Sequence, residues 1–212
     1  MLQKVVPQSL NKLTEKLTKL KFITFYVNIA GMCIPHFDTR GLLPPGDYPV
    51  TFFQLRDSPL VQNHIDGWDK DWRLNLVNQA EILAKQLWEV GIEEIVLDGS
   101  FVEDKVHPND IDGYFTCDVT ELGSITQRLN ALDPYKVWTW DPSARRPYRG
   151  HIKKQLPMWH RYRVELFPHY SQLSGIADKY GQPLTFPSAF RLQRDTYEQK
   201  GVVRLLKEGG PR

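Results

Sequence analysis

The residues best suited to chemistry lie in the stretch Ile92 to Tyr114, IEEIVLDGSFVEDKVHPNDIDGY. Ile95-Val96-Leu97 is a β-branched apolar run that reads as a buried strand, and it stops at Asp98-Gly99-Ser100. A Gly-Ser pair at a strand end leaves backbone N–H groups and a hydroxyl free to approach an anion closely. Further on comes Asp110-Ile111-Asp112, whose alternation on a strand puts both carboxylates on one face and Ile111 on the other. Paired carboxylates repel and raise each other's pKa, so a site that keeps them ionised supplies a cation. Mg²⁺ fits, because it is held by one or two carboxylates together with the phosphates of a substrate.

Gly99-Ser100, nine intervening residues and Asp110-Ile111-Asp112 resemble the signature of the nucleotidyltransferase superfamily that includes DNA polymerase β and the minimal nucleotidyltransferases of bacteria. Asp98 and Gly113 depart from it, standing where apolar residues are commoner. LPPG at Leu43 to Gly46, GSF at Gly99 to Phe101, PNDID at Pro108 to Asp112 and KGVVRL at Lys200 to Leu205 resemble a bacterial branch of that superfamily, and the likeness spans Ile34 to Leu206. The resemblance implies an α+β fold, a mixed sheet with helices packed on one side. It also implies nucleotide binding at Gly99 and Ser100, and two Mg²⁺ ions, with Mn²⁺ as an alternative, held by Asp110, Asp112 and a later acid between apolar neighbours. Glu165 in Val164-Glu165-Leu166 is the choice for that acid and Asp141 the reserve; the plainer alternative is that Glu165 faces solvent or pairs with Arg161 or Arg163.

The implied activity is transfer of a nucleoside monophosphate from an NTP such as ATP to a hydroxyl of a protein, an RNA or a small molecule. In the minimal members such an enzyme serves as the antitoxin half of a toxin–antitoxin or phage-defence pair, which would make a cognate toxin a partner. The alternative is a binding protein that keeps the fold and neutralises a partner by contact, with slow or no catalysis. Two other readings of the motif fail. An EF-hand register with Gly113 at the sixth position puts Pro108 first and Val119 twelfth, neither of them a carboxylate, and no GxxxxGK[ST] occurs.

Several elements must position these residues. Trp72, Leu76, Ala80, Leu83, Leu87 and Val90 repeat at helical spacing over Trp68 to Val90, with Asp66 or Asp69 to cap the start and Gly91 to end it. This helix leads directly into the Gly99-Ser100 strand. Ile34 to Tyr48, with Pro44-Pro45-Gly46, reads as an ordered loop, a lid or strap over the core. Asp118 to Glu121 reads as a capping box opening a helix to about Leu132, with Leu122, Ile125, Leu129 and Leu132 inward. Tyr162 to Phe167 alternates as a strand, and Ala189 to Asp195 with Gly201 to Leu206 read as two strands joined by a charged turn.

Between Asp141 and Glu165 there are seven cations and no acid: Arg145, Arg146, Arg149, Lys153, Lys154, Arg161 and Arg163. Tyr148, Trp159 and Tyr162 are interleaved with them, as on a surface for phosphates or stacked bases. The alternative is a solvated loop anchored by its aromatics. The whole chain of 212 residues carries a net charge of only +2, which excludes a generally basic protein but not a local basic face.

Cys33 and Cys117 have neither metal-ligand spacing nor the density of a secreted disulfide scaffold, so a reducing cytosol is expected. Phe22 to Pro35 is short for a spanning helix, is broken by Asn28 and lacks a cleavage signal, so no membrane or export role is expected. Residues 1–31 read as an extension, an amphipathic helix over Ser9 to Leu20 followed by a strand, ahead of a domain over 32–206 and a tail over 207–212. Met32 is an alternative start, which makes the earlier residues dispensable for the core.

Overall fold

The computed structural model describes residues 33–149 and 151–209, and those from Ile34 onward make one unit. The helix and strand expected before Met32 lie outside the described residues. The loop after Ile34 is ordered and acts as the expected strap. Buried Leu43 donates its amide to Val102 O at 3.1 Å and accepts from Gly201 N at 2.8 Å. Beyond Pro44-Pro45-Gly46 the chain enters strand β1, Asp47–Val50, and then a short helix, α1, Phe52–Arg56. A reciprocal Thr51/Gln54 capping box starts α1, and the sequence reading missed it.

Helix α2, Lys70–Glu89, forms where the periodicity places it. The Asp69 side chain accepts from Trp72 N at 3.0 Å, and Gly91 takes the left-handed conformation, φ +92, just past the end. Leu76, Leu83 and Leu87 on its inner face are fully buried, each contributing roughly 2 kcal/mol of hydrophobic stabilisation. Strand β2, Ile95–Asp98, follows and ends in the single turn Gly99–Val102, after which β3 runs over Ile111–Thr116.

Helix α3 spans Leu122–Leu132, but the expected capping box does not close. Asp118 turns instead to its near neighbour Thr120, accepting from the amide and hydroxyl at 2.7 Å each, and Glu121 caps nothing with its side chain. Ile125 and Leu129 are buried as expected. Leu132, in the last turn, is exposed.

A small hairpin of β4, Arg146–Tyr148, and β5, His151–Gln155, leads to helix α4, Pro157–Tyr162. Tyr162 therefore closes a helix rather than opening a strand. The turn is made by Arg163 in the left-handed region, φ 55, and strand β6 covers Val164–His169. A second hairpin, β7, Leu173–Ala177, with β8, Pro183–Thr185, is followed by the short helix α5, Phe186–Ala189. Of the two strands expected in the tail only the second forms, as β9, Val202–Leu205. The first gives way to the end of α5 and a turn in which Gln193 Oε1 accepts from the amides of Asp195 and Thr196.

The fold is α+β. Its mixed sheet has the order β1-β9-β2-β3-β6, with β9, β2 and β3 successively antiparallel and both edge strands pairing in parallel. Pro168 is tolerated in β6 because β6 is an edge. One face, with Ile95, Leu97, Ile111, Phe115, Val164, Leu166 and Val203, packs with α2, α3 and α4 in the main core. On the other face Val96, Tyr114 and Val202 pack with Phe186, Ala189 and Phe190. Among the described residues no helix is long and apolar enough to cross a membrane.

Arg73 of α2 pins the segment that leaves the Gly99–Val102 turn. Fully buried, it donates to the carbonyls of Leu60, Phe101, Glu103 and Lys105 at 2.7–2.9 Å and lies 3.8 Å from the Trp68 ring centre. Burial lowers its pKa, but these carbonyl oxygens hold it as the cation. Arg73→Met is expected to cost about 3 kcal/mol or more in a denaturant melt, because it strands the carbonyls without a donor.

Candidate active site

Strand register builds the site. In β2/β3, Asp98 lies directly opposite Asp112, and in β3/β6 Asp112 lies opposite Glu165. Side chains opposite one another across a sheet share a face, so these acids form one row across three adjacent strands. Two residues along each strand the same face carries Val96, Tyr114 and Phe167, the apolar patch that α5 covers. Asp110, expected on the strand itself, stands one residue before β3, while Ile111 points into the main core as anticipated.

Like charges directly opposite are destabilising, and the row is bracketed by cations. Lys200, 3% exposed, places Nζ 3.3 Å from Asp98 Oδ1 and donates to Glu103 Oε1 at 2.8 Å and to Gly99 O at 3.1 Å. At the other end Arg145 Nη1 is 3.7 Å from Glu165 Oε1. Glu165 also accepts from Leu156 N at 3.1 Å, and Asp110 Oδ2 accepts from Trp159 Nε1 at 2.6 Å. Lys200 is shared with Glu103, so with every group ionised the carboxylates Asp98, Glu103, Asp110, Asp112 and Glu165 outnumber the ion-paired cations Lys200 and Arg145.

The pKa shifts follow from this crowding. Burial, then the charges of Asp110, Glu165 and Asp98, pushes Asp112 well above the ordinary carboxylate range. Burial takes Asp98 up to about 7 against the pull of Lys200. Glu165 is raised by burial, with the Leu156 amide and Arg145 opposing. Burial works against the Lys200 charge, yet Asp98 and Glu103 outweigh it and its pKa is raised.

Gly99 has φ +80, and a Cβ there would sit 2.6 Å from Asp112 Oδ2. The backbone thus touches the acid row at a point where only glycine fits. Gly99→Ala is expected to lose roughly 1–2 kcal/mol of stability from backbone conformation alone and to displace the Asp112 carboxylate. A denaturant melt of the variant beside the parent reads that loss. Gly113, a departure from the superfamily pattern, is explained in the same way: a Cβ would collide with Val96 O and lie 2.7 Å from Leu166 Cδ2.

The row opens into a cleft of about 1070 Å³ lined by all five residues read from the sequence: Gly99, Ser100, Asp110, Asp112 and Glu165. Asp141, the reserve acid, is elsewhere. It is exposed and accepts from Ser143 N at 2.8 Å, capping a single turn over Pro142–Ala144. The seven cations divide. Arg145, Lys153 and Arg163 line the cleft, whereas Arg146, Arg149 and Lys154 are exposed outside its lining. Arg161 lies 4.1 Å from the Tyr135 ring centre and donates to its hydroxyl. The expected stacking aromatics are mostly interior: Trp159 and Tyr162 are buried, and Tyr162 OH donates to Asp133 Oδ2 at 2.8 Å.

The donor set is chemically right for Mg²⁺, being hard carboxylate oxygens. One buried acceptor lining the cleft, Gln155 Oε1, has no hydrogen-bond donor, which also fits a cation, whereas Asp98 Oδ1 already faces the Lys200 ammonium. Among the described residues no three His, Cys, Asp or Glu side chains converge as a ready ligand cage; Asp110 and Glu165 are held by protein donors. Sequence reasoning missed Asp98, Glu103 and Lys200 as members of the site and read Trp159 as a stacking aromatic rather than a donor to Asp110. Asp98 and Lys200 sit inside or beside the quoted motifs, but only the fold shows that they meet.

A family model described as a family of unknown function (DUF6932) matches residues 35–206. No curated protein and no solved structure matches the chain.

Proposed function

This chain belongs to the family of unknown function DUF6932, and we propose that it is a metal-dependent nucleotidyltransferase, moving a nucleoside monophosphate from an NTP to an acceptor hydroxyl. The observation that carries this reading is the in-register row Asp98, Asp112 and Glu165, beside Asp110 and against Gly99, in a cleft that also holds Arg145, Lys153 and Arg163. Asp110, Asp112 and Glu165 would hold Mg²⁺, which when bound would neutralise phosphate charge and acidify the attacking hydroxyl. Gly99 and Ser100 face the phosphates, and the three cations offset their remaining charge. The acceptor oxygen forms a bond to the α-phosphorus, the bridging α–β P–O bond breaks, pyrophosphate leaves, and the hydroxyl proton passes to a carboxylate of the row. A protein or RNA acceptor, a cognate toxin and a cytoplasmic setting belong to the same reading.

A second reading is a binding protein of this fold that neutralises a partner by contact. It is favoured by the hydrogen bonds that already occupy Asp110 and Glu165 and by the raised carboxylate pKa values. Titrating ATP with and without Mg²⁺, and following transfer of α-labelled nucleotide, separates the two. Mg²⁺-dependent ATP binding supports the enzyme; no ATP binding under either condition supports the binding protein.

A further inference from the structure

Trp159 joins the two kinds of charge in the cleft. It sits on α4, is 5% exposed, and its indole N–H donates to Asp110 Oδ2 at 2.6 Å. An indole nitrogen is a donor only, and a bond to a carboxylate is charge-assisted and stronger than a neutral one. The face of the same ring lies 3.9 Å from the Arg163 guanidinium carbon, which is also 4.2 Å from the Tyr148 ring centre.

The backbone closes the circuit. Arg163 holds a left-handed conformation uncommon for a side chain of its size, and its carbonyl accepts from Ile111 N at 3.0 Å, beside Asp110. Two residues later β6 presents Glu165. Packing alone would be met by any large ring at this position; the N–H aimed at an acid of the site is the additional feature.

We propose that Trp159 is a positioning residue that holds the Asp110 carboxylate through its indole N–H and the Arg163 guanidinium on its ring, so that one side chain sets both an acid and a cation of the cleft. The inference rests on the nucleotidyltransferase reading of the site. Partners that orient a metal-binding carboxylate or imidazole from behind are worth about 10–100-fold in metal affinity.

The test uses the full chain and Mn²⁺ alone, with free Mn²⁺ followed by electron paramagnetic resonance. Trp159→Phe keeps a ring for Arg163 and removes the N–H. It is expected to bind Mn²⁺ about 10–100-fold more weakly than the parent. In the parent, the indole N–H resonance that the substitution removes is expected to shift when Mg²⁺ is added. Parent-like Mn²⁺ affinity in the variant, or an indole resonance indifferent to Mg²⁺, overturns the inference and leaves Trp159 a packing residue. Should the variant fail to fold, the resonance is identified by elimination from substitutions of the other five tryptophans and decides alone. If the parent and Asp112→Asn bind Mn²⁺ equally, or neither binds it, the nucleotidyltransferase reading falls first and this inference with it.

Discussion

Asp112→Asn is expected to abolish Mg²⁺-dependent ATP binding, to lower any nucleotidyl transfer on the order of 10²–10³-fold or more, and at the same time to make the protein more stable. Asp112 is the centre of the row, with Asp98 and Glu165 opposite it on either side. Replacing it with a neutral side chain of nearly equal size removes the burial of a carboxylate and the like-charge contacts that together raise its pKa, a gain of about 1 kcal/mol. The pH dependence has a definite sign. Asp98 titrates at about 7 in the folded chain against an ordinary 3.8, so between those values the native state binds more protons than the unfolded one. Stability therefore falls as pH rises through that window, and Asp112, raised by burial and its acidic neighbours, adds its own share to the fall. Asp112→Asn should flatten the fall, and Mg²⁺ should raise the melting temperature of the parent more above pH 7 than below pH 5. Melts across pH with and without Mg²⁺ check both, and a variant that binds Mg·ATP as the parent does would show the site to be assigned wrongly.

What was legible in the sequence was local. α2 was readable because its apolar period, its Asp69 cap and the glycine after it all agree, and β2, β3 and β9 because short β-branched runs bounded by turn residues have few other uses. Glu165 is preferred to Asp141 because its apolar-acid-apolar setting matches the resembled superfamily, and the fold buries it on β6. The failures share one cause, competition between a local pattern and a neighbour that sequence does not place. Asp118 chose Thr120 over a capping role, and Tyr162 was drawn into α4, its hydroxyl bonded to Asp133 across the core. The register that aligns Asp98 with Asp112 and Glu165 was invisible, because it joins segments far apart in the chain. For the same reason Lys200 read as part of a strand motif when it is the buried counter-charge of Asp98.

The second large effect is expected from the cationic hairpin, whose structure divides what the sequence presented as one basic run. Lys153 and Lys154 alternate along β5, so one lines the cleft while the other does not, and Arg146 and Arg149 are exposed with Lys154. The inner group, with Arg145 drawn toward Glu165 and Arg163 set on Trp159, suits a triphosphate. The outer group has no such companion acid on its own segment; register sets Arg146 opposite Gln155 and Lys154 opposite Pro147, so these two project from different faces of the hairpin, and exposed cations without acids beside them favour an anion that wraps the arm. Charge reversal of Arg146, Arg149 and Lys154 together is therefore expected to weaken a polyanionic acceptor such as RNA and to leave Mg·ATP affinity unchanged. Loss of three phosphate contacts should also lower the slope of log affinity against log salt by about 2 for a single-stranded partner. The interior placement of Trp159 and Tyr162 makes base stacking a minor part of that affinity, so sequence preference should be slight. Filter binding of a single-stranded RNA over a range of salt reads both quantities. An affinity indifferent to the triple reversal and to salt would leave the hairpin a solvated arm and would direct the search to a protein acceptor recognised elsewhere.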